Sequence, residues 1–299
     1  FLKIMNNYPL LTQILHKQFL SNEDIINFQL NKLKKNSKRI NFKKYKNLFI
    51  TGLARSGSTA LLQSIDETNK FASLRYKYMP FILSPKIAKF YSKYFSNNQN
   101  LEQERLHGDG LKISSNSPEC LEEPYWINTI YRSFNMNESL KPHKISLDDM
   151  NGYCQLLDSY LKIEKKKQFL IKNNNHHLRI ISLASYLPNS TFLILIRNPI
   201  SHAKSLLNAH KRFTDIQNKN KFVLQYMNLI GHWEFGKGKK SFIYKKGQEK
   251  KLEILDEFKI EYWFQQWLYT YEWIFEIISK KGQEKQTNLK IVCYEDLCS

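Results

Sequence analysis

The stretch from Lys46 to Gln63, KNLFITGLARSGSTALLQ, limits the fold more than any other part of the chain. A short apolar run, Leu48-Phe49-Ile50, leads into a loop of small residues and then into the first turn of a helix. Within it, Gly52-Leu-Ala-Arg-Ser-Gly57-Ser58-Thr59 carries the glycine spacing of a phosphate loop, G-x-x-x-x-G-K-[ST]. Glycines let such a loop curl until several backbone N–H groups converge on one anion, at the positive end of the next helix. One position departs from the pattern. Ser58 stands where a nucleoside triphosphatase has the lysine that reaches the β- and γ-phosphates, and the cation comes earlier, at Arg55. The loop is therefore shaped for a smaller anion than a triphosphate tail.

Around this loop, strand and helix patterns alternate. Residues 1–45 read as a lead-in of two polar-faced helices, near Tyr8–Phe19 and Asn22–Lys35. Beyond the loop, helices are expected at Ser58–Asp66, Ile82–Tyr94, Leu147–Ile163, Ile180–Tyr186 and Pro199–Arg212. Strands are expected at Phe71–Tyr76, Phe169–Lys172, Thr191–Ile196 and Leu289–Tyr294. The uninterrupted TFLILI suits a strand buried on both faces. Residues 236–251, glycines among lysines, read as an exposed loop. From Ile260 onward, Trp263, Phe264, Trp267, Leu268, Tyr271, Ile274, Phe275 and Ile278 recur at helical spacing, a stripe for packing on a sheet rather than for a ligand. Such alternation predicts an α/β, three-layer, P-loop-like fold: a central parallel sheet flanked by helices, with residues 46–299 as its domain.

A chain of 299 residues with 42% hydrophobic content can supply one large core. The formal net charge of +19 favours polyanionic partners: phosphorylated nucleotides, nucleic acid or anionic lipid surfaces. Its lysines cluster at 32–46, 165–167 and 237–251, and solvated faces explain such runs more simply. Cys120, Cys154, Cys293 and Cys298 show neither a C-x-x-C pair nor metal spacing. Reduced thiols, no metal and a cytoplasmic location, with room for peripheral membrane contact, are the expectation. No apolar run approaches the ~20 residues that span a bilayer. Residue 1 is Phe and the sequence stops just after an expected strand, so both ends are expected to be clipped.

A second anion site lies at Arg197. Triphosphatases end an apolar strand in the aspartate that holds Mg²⁺. TFLILI ends instead in Arg197, then Asn198-Pro199 opens a helix on which Ser205 can reach back toward the strand end. Two anion sites at the carboxyl ends of strands suit a nucleotide with phosphate-like groups at two separate positions.

These residues resemble the sulfotransferases that use 3′-phosphoadenosine 5′-phosphosulfate. ITGLARSGSTALL is similar to their 5′-phosphosulfate loop, and FLILIRNPISHAKSLL to their 3′-phosphate strand and helix, with the same arginine-to-serine spacing. RYKYMPF, ERLHGDG, SPECLEE, FLIKNN, GHWEFG and VCYEDL resemble further segments of a bacterial branch. The resemblance implies that Arg55, Ser56, Gly57, Ser58 and Thr59 hold the 5′-phosphosulfate, and that Arg197 and Ser205 hold the 3′-phosphate. It implies a metal-independent, in-line transfer to a hydroxyl or amine of a small molecule, a carbohydrate or a lipid-linked glycan, with Arg55 stabilising the leaving phosphate.

The proton acceptor is less plainly marked. The resemblance implies an acid at position 78, where this chain has Tyr. SPECLEE is similar to an acid run whose last member serves as base, which selects Glu123, with Glu122 second. Ser117 and Pro118 read as the cap and first position of a helix, placing Glu119 and Glu123 on one face. His107 and Asp109, in HGDG, are a further candidate pair; His232, in GHWEFG, is a weaker one that would face the acceptor, and Lys172, at its strand end, would add to the positive field at the leaving phosphate. Other readings remain: a P-loop kinase or NTPase, with Glu295-Asp296 as its acid; an impaired nucleotide-binding homologue; and, least favoured, a nucleic-acid module, for which no motif is present.

Overall fold

The computed structural model describes residues 10–35, 40–95, 102–105, 108, 110–131, 139–283 and 288–298. Four strands form the central sheet: β1 (Leu48–Thr51), β2 (Leu170–Lys172), β3 (Thr191–Ile196) and β4 (Leu289–Cys293). Their order is β2-β1-β3-β4 and every pairing is parallel. Side chains alternate across the sheet. Phe49, Ile171, Phe192 and Ile194 enter the main core on one face, where Phe49 and Phe192 stack with centroids 4.6 Å apart. Ile50, Leu170 and Leu195 pack with Leu62 on the other. The α/β architecture with a covered parallel sheet is as expected.

Two helices precede the sheet, α1 (Leu10–Ser21) and α2 (Glu23–Lys35). They bury Leu20, Ile26, Leu30 and Leu33 in the main core. Lys34 of α2 reaches Asp148 and Asp149 at 2.6 and 2.9 Å. Helix α3 (Ser58–Asp66) follows the loop after β1, and α4 (Pro85–Phe95) lies further along. The short α5 (Glu123–Trp126) runs into a π-turn at Ile127–Tyr131. Then come α6 (Leu147–Glu164), capped by Ser146, and α7 (Ile180–Tyr186). Helix α8 (Pro199–Lys219) is capped by the Asn198 side chain, which accepts the Ser201 N–H at 3.1 Å. It outruns its expected end at Arg212. Helices α9 (Lys221–Leu229), α10 (Gln248–Glu253) and α11 (Ile260–Gln283) follow, and α12 (Tyr294–Leu297) is the last described element. Tyr271 of α11 donates to the Leu195 carbonyl of β3 at 2.7 Å, tying helix to sheet. The expected stripe holds at Trp263, Tyr271 and Ile274, whereas Phe264 and Phe275 are exposed.

Three expectations need correction. Phe71–Tyr76 makes one parallel bridge, Ala72 to Phe169, then turns into a 3₁₀ segment at Tyr76–Tyr78. Residues 236–251 are not simply an exposed loop: Ser241–Phe242 pairs with Ser139–Leu140, and Phe242, Ile243 and Gln248 are buried. The third, the helix expected from Ser117, shapes the site itself. Among the described residues no helix is long and apolar enough to cross a membrane.

Candidate functional site

After β1 the chain curls. Gly52 and Gly57 adopt φ of +131° and +89°, and Arg55 sits at +71°, a left-handed conformation that costs energy for a side-chain-bearing residue. Gly57 caps α3, directly under the Tyr294 ring; a Cβ there would fall 2.3 Å from a ring carbon. Gly57→Ala is therefore expected to cost about 1–2 kcal/mol for the backbone conformation alone. A thermal melt would read the loss. Ser58 and Thr59 occupy the first turn of α3, buried. Ser56 is fully buried, and its Oγ has no hydrogen-bond partner among the described residues. A buried hydroxyl left unpaired at a helix N-terminus is a ready donor to an anion.

The residues expected at the second anion site lie against those of the first. Arg197, at the end of β3, donates from a terminal guanidinium nitrogen to the Arg55 carbonyl at 3.2 Å. Arg55 Nε donates to Ser205 Oγ at 3.3 Å. The Arg197 guanidinium also lies over the Tyr294 ring, 4.5 Å from its centroid. Arg55, Arg197 and Ser205 thus form one hydrogen-bonded cluster. His202, one turn before Ser205, contacts the Ala54 carbonyl at 2.7 Å, and burial lowers its pKa to about 4, so it adds no charge near neutrality. Glu295 accepts the Asn198 N–H at 2.9 Å, which holds its carboxyl low. This acid is occupied at the start of α8. Among the described residues, no three His, Cys, Asp or Glu side chains converge as a metal site.

The acid run does not start a helix at Ser117. Pro118 bridges antiparallel to Arg75, and the Glu119 N–H donates to the Leu74 carbonyl at 3.1 Å, so pairing holds this segment extended. Ser117 Oγ accepts from the Ser114 N–H rather than capping a helix. Helix α5 begins only at Glu123, and Glu119 points to partners separate from those of Glu122 and Glu123. Glu119 receives Lys172 Nζ at 3.1 Å and lies 3.9 Å from Arg105, which itself donates to Thr59 Oγ1 at 3.0 Å. Burial would raise the Glu119 carboxyl, but Lys172 and Arg105 outweigh it and hold it far below the usual range. Glu122 accepts from the Tyr153 hydroxyl and from Asn173 Nδ2. Glu123, fully buried, accepts from Arg179 at 2.6 and 2.8 Å and from Asn173 Nδ2 at 2.6 Å. Burial raises its carboxyl too, yet Arg179 and Asn173 bring it below the usual value. Glu123 and Glu122 thus face the buried Arg179–Tyr153 side, while Glu119 is linked to α3 through Arg105.

Tyr78, at the position where the resemblance implies an acid, is buried with its hydroxyl on Glu164. His107 and Asp109 lie outside the described residues. Their neighbour Gly108 adopts φ of +62° against the Arg212 guanidinium, where a Cβ would meet it at 2.3 Å.

Two residues escaped the sequence. Asn174, just past β2, receives Ser58 Oγ on its side-chain oxygen at 3.5 Å and donates from Nδ2 to Glu234 Oε1 at 2.7 Å. Glu234 is buried, and its Oε2 has no hydrogen-bond partner among the described residues. It lines a narrow cleft with Leu53 and Ala54 of the loop and with Lys239 and Lys240. Only the pattern Trp233-Glu234-Phe235, a carboxylate between two buried rings, could have signalled it.

A parallel sheet whose central strand feeds a glycine-bearing loop, with an arginine on the adjacent strand end, defines a P-loop-like α/β fold. A profile described as sulfotransferase family matches residues 47–240. Among solved structures, the sulfotransferase STF1 from Mycobacterium tuberculosis H37Rv is similar at 11% identity and a TM-score of 0.50, covering 94% of this chain and 71% of that one. The sulfotransferase STF9 from Mycobacterium avium aligns at 11% identity and a TM-score of 0.37, covering 87% and 76%. No curated sequence matches. The chain belongs to the sulfotransferase family and is an enzyme of sulfuryl transfer.

Proposed function

We propose that the chain moves a sulfuryl group from 3′-phosphoadenosine 5′-phosphosulfate to a hydroxyl, or an amine, of a carbohydrate or lipid-linked glycan. The observation that carries this reading is the junction of the two anion sites, with Arg197 on the Arg55 carbonyl and Arg55 on Ser205. The unpaired Ser56 Oγ and the buried, unpaired Arg197 Nε fit a ligand bearing two separated anionic groups. In this reading Arg55, Ser56, Gly57, Ser58 and Thr59 hold the 5′ end, and Arg197 and Ser205 hold the 3′-phosphate. Residues 46–299 form the catalytic domain after a helical lead-in, and the enzyme works in the cytoplasm.

Charge grows on the leaving phosphate oxygen as its S–O bond breaks. Arg55 and the loop N–H groups meet that charge with preorganised positive potential, so the electrophilic role needs no metal. The acceptor must lose a proton as its new S–O bond forms. Glu123 and Glu122 are committed to Arg179, Tyr153 and Asn173, and Glu119 to Lys172. Glu234 keeps one buried carboxylate oxygen without a hydrogen bond among the described residues, and Asn174 links it to Ser58, so it is the acid we assign to take the proton.

Calorimetric titration tests the donor assignment. Adenosine 3′,5′-bisphosphate is expected to bind tightly and ATP weakly; the reverse order would favour a kinase. With an active acceptor from a glycan panel, Glu234→Gln is expected to lower kcat about a hundredfold while bisphosphate affinity stays unchanged. Unchanged kcat would remove Glu234 from the proton path.

A further inference from the structure

Helix α4 presents a surface that the transfer reaction does not use. Ser84 and Pro85 open it, with proline at the first helical position, where its missing N–H costs nothing. Its inner face is anchored: Ala88 is fully buried, and Tyr91 packs on Phe81 with ring centroids 5.0 Å apart. The outer face is unusual for a helix in water. Ile87, Phe90 and Tyr94 are 45%, 60% and 58% exposed and lie at helical spacing on one side. Phe90 and Tyr94 touch each other with centroids 4.7 Å apart, so the apolar stripe is continuous. Beside it runs a second exposed stripe, Lys86, Lys89 and Lys93, offset by one residue. Helix α4 contains no acidic residue, and no carboxylate of the described residues pairs with these lysines.

A solvated helix face mixes charges of both signs and keeps aromatic rings inside. An apolar stripe flanked by lysines only is the pattern of a helix lying in the plane of an anionic membrane surface. There the rings enter the headgroup boundary and the lysines reach lipid phosphates and carboxylates. We propose that α4 docks the protein on anionic lipid through Ile87, Phe90 and Tyr94, with Lys86, Lys89 and Lys93 as the electrostatic contacts. Charge complementarity selects the occupant: the face carries three positive charges and no negative one. Helix α4 also packs on the turn at Tyr76–Tyr78, and the Tyr76 hydroxyl touches Glu119 at 3.4 Å. Docking would thus hold the turn beside the Glu119 cluster close to the lipid headgroups. The proposal does not depend on which donor or acceptor the enzyme uses.

Co-sedimentation with sucrose-loaded vesicles tests it. Phosphatidylcholine vesicles with 30% phosphatidylserine are compared with pure phosphatidylcholine vesicles at low and high salt. A lysine near an anionic surface strengthens binding about fivefold, so Lys86→Glu, Lys89→Glu and Lys93→Glu together should weaken partition about a hundredfold or more. Phe90→Ser with Tyr94→Ser leaves the charge untouched and should still weaken it about tenfold or more. The same charge reversal at Lys246, Lys250 and Lys251, exposed elsewhere, should change partition less than threefold. If the two ring substitutions leave partition intact, or if both triple variants lose it equally, the net charge binds lipid without α4 and the proposal is overturned. Failure of the wild type to prefer phosphatidylserine vesicles would also overturn it and turn the face toward an acidic protein.

Discussion

An Arg55→Ala enzyme is expected to transfer sulfuryl groups about 10²–10³-fold more slowly than wild type, a loss of about 3–4 kcal/mol of transition-state stabilisation. The reason is local. Arg55 is held in a left-handed conformation between Ser205, on its own side chain, and Arg197, on its carbonyl. Fixed there, its charge needs no reorganisation when negative charge appears on the leaving oxygen. Affinity for adenosine 3′,5′-bisphosphate should fall less than the rate, because the loop N–H groups and Arg197 remain. Rate assays beside calorimetry separate the two. Equal losses in rate and affinity would mean that Arg55 merely binds.

Glu123→Gln is expected to destabilise the fold by about 3–5 kcal/mol, since it leaves Arg179 buried beside a neutral amide. Urea unfolding should show a lower midpoint with an unchanged slope. The pH dependence follows from linkage. The Glu123 carboxyl titrates below its ordinary value in the folded state, because Arg179 and Asn173 outweigh its burial. Its contribution is therefore present above the unfolded value near 4.3 and fades as pH falls through the folded one. The gap between wild type and variant should be constant above about pH 5 and narrow in acid. A variant that stays stable yet loses all activity would return Glu123 to the role of base that its place in the acid run first suggested.

What the sequence revealed was local in character. The glycine loop after β1, the apolar β3 ending in Arg197, and the Asn198 cap are each written within a few consecutive residues, and each stands where the pattern puts it. The Ser117 segment misled because its cap and proline are real helix signals that were outcompeted. Pairing of Pro118 with Arg75 and of Glu119 with Leu74 supplies the same backbone hydrogen bonds in extended form. Phe71–Tyr76 has strand composition, but only Ala72 finds a partner in the sheet. Asn174 and Glu234 were hidden for another reason. They are far apart in the chain, and only tertiary packing sets the amide of one on the carboxylate of the other.

One amide nitrogen, that of Asn173, serves both Glu122 and Glu123, at 3.0 and 2.6 Å. Two acids that each take one N–H of a single amide group are not free to vary one at a time, since losing either lets the amide that the other keeps shift. Their effects in a double-mutant cycle should be strongly coupled, while Glu119, with partners of its own, should add independently. For natural variation the consequence is that neighbouring letters in this run differ in how they can drift: two as a unit, one alone.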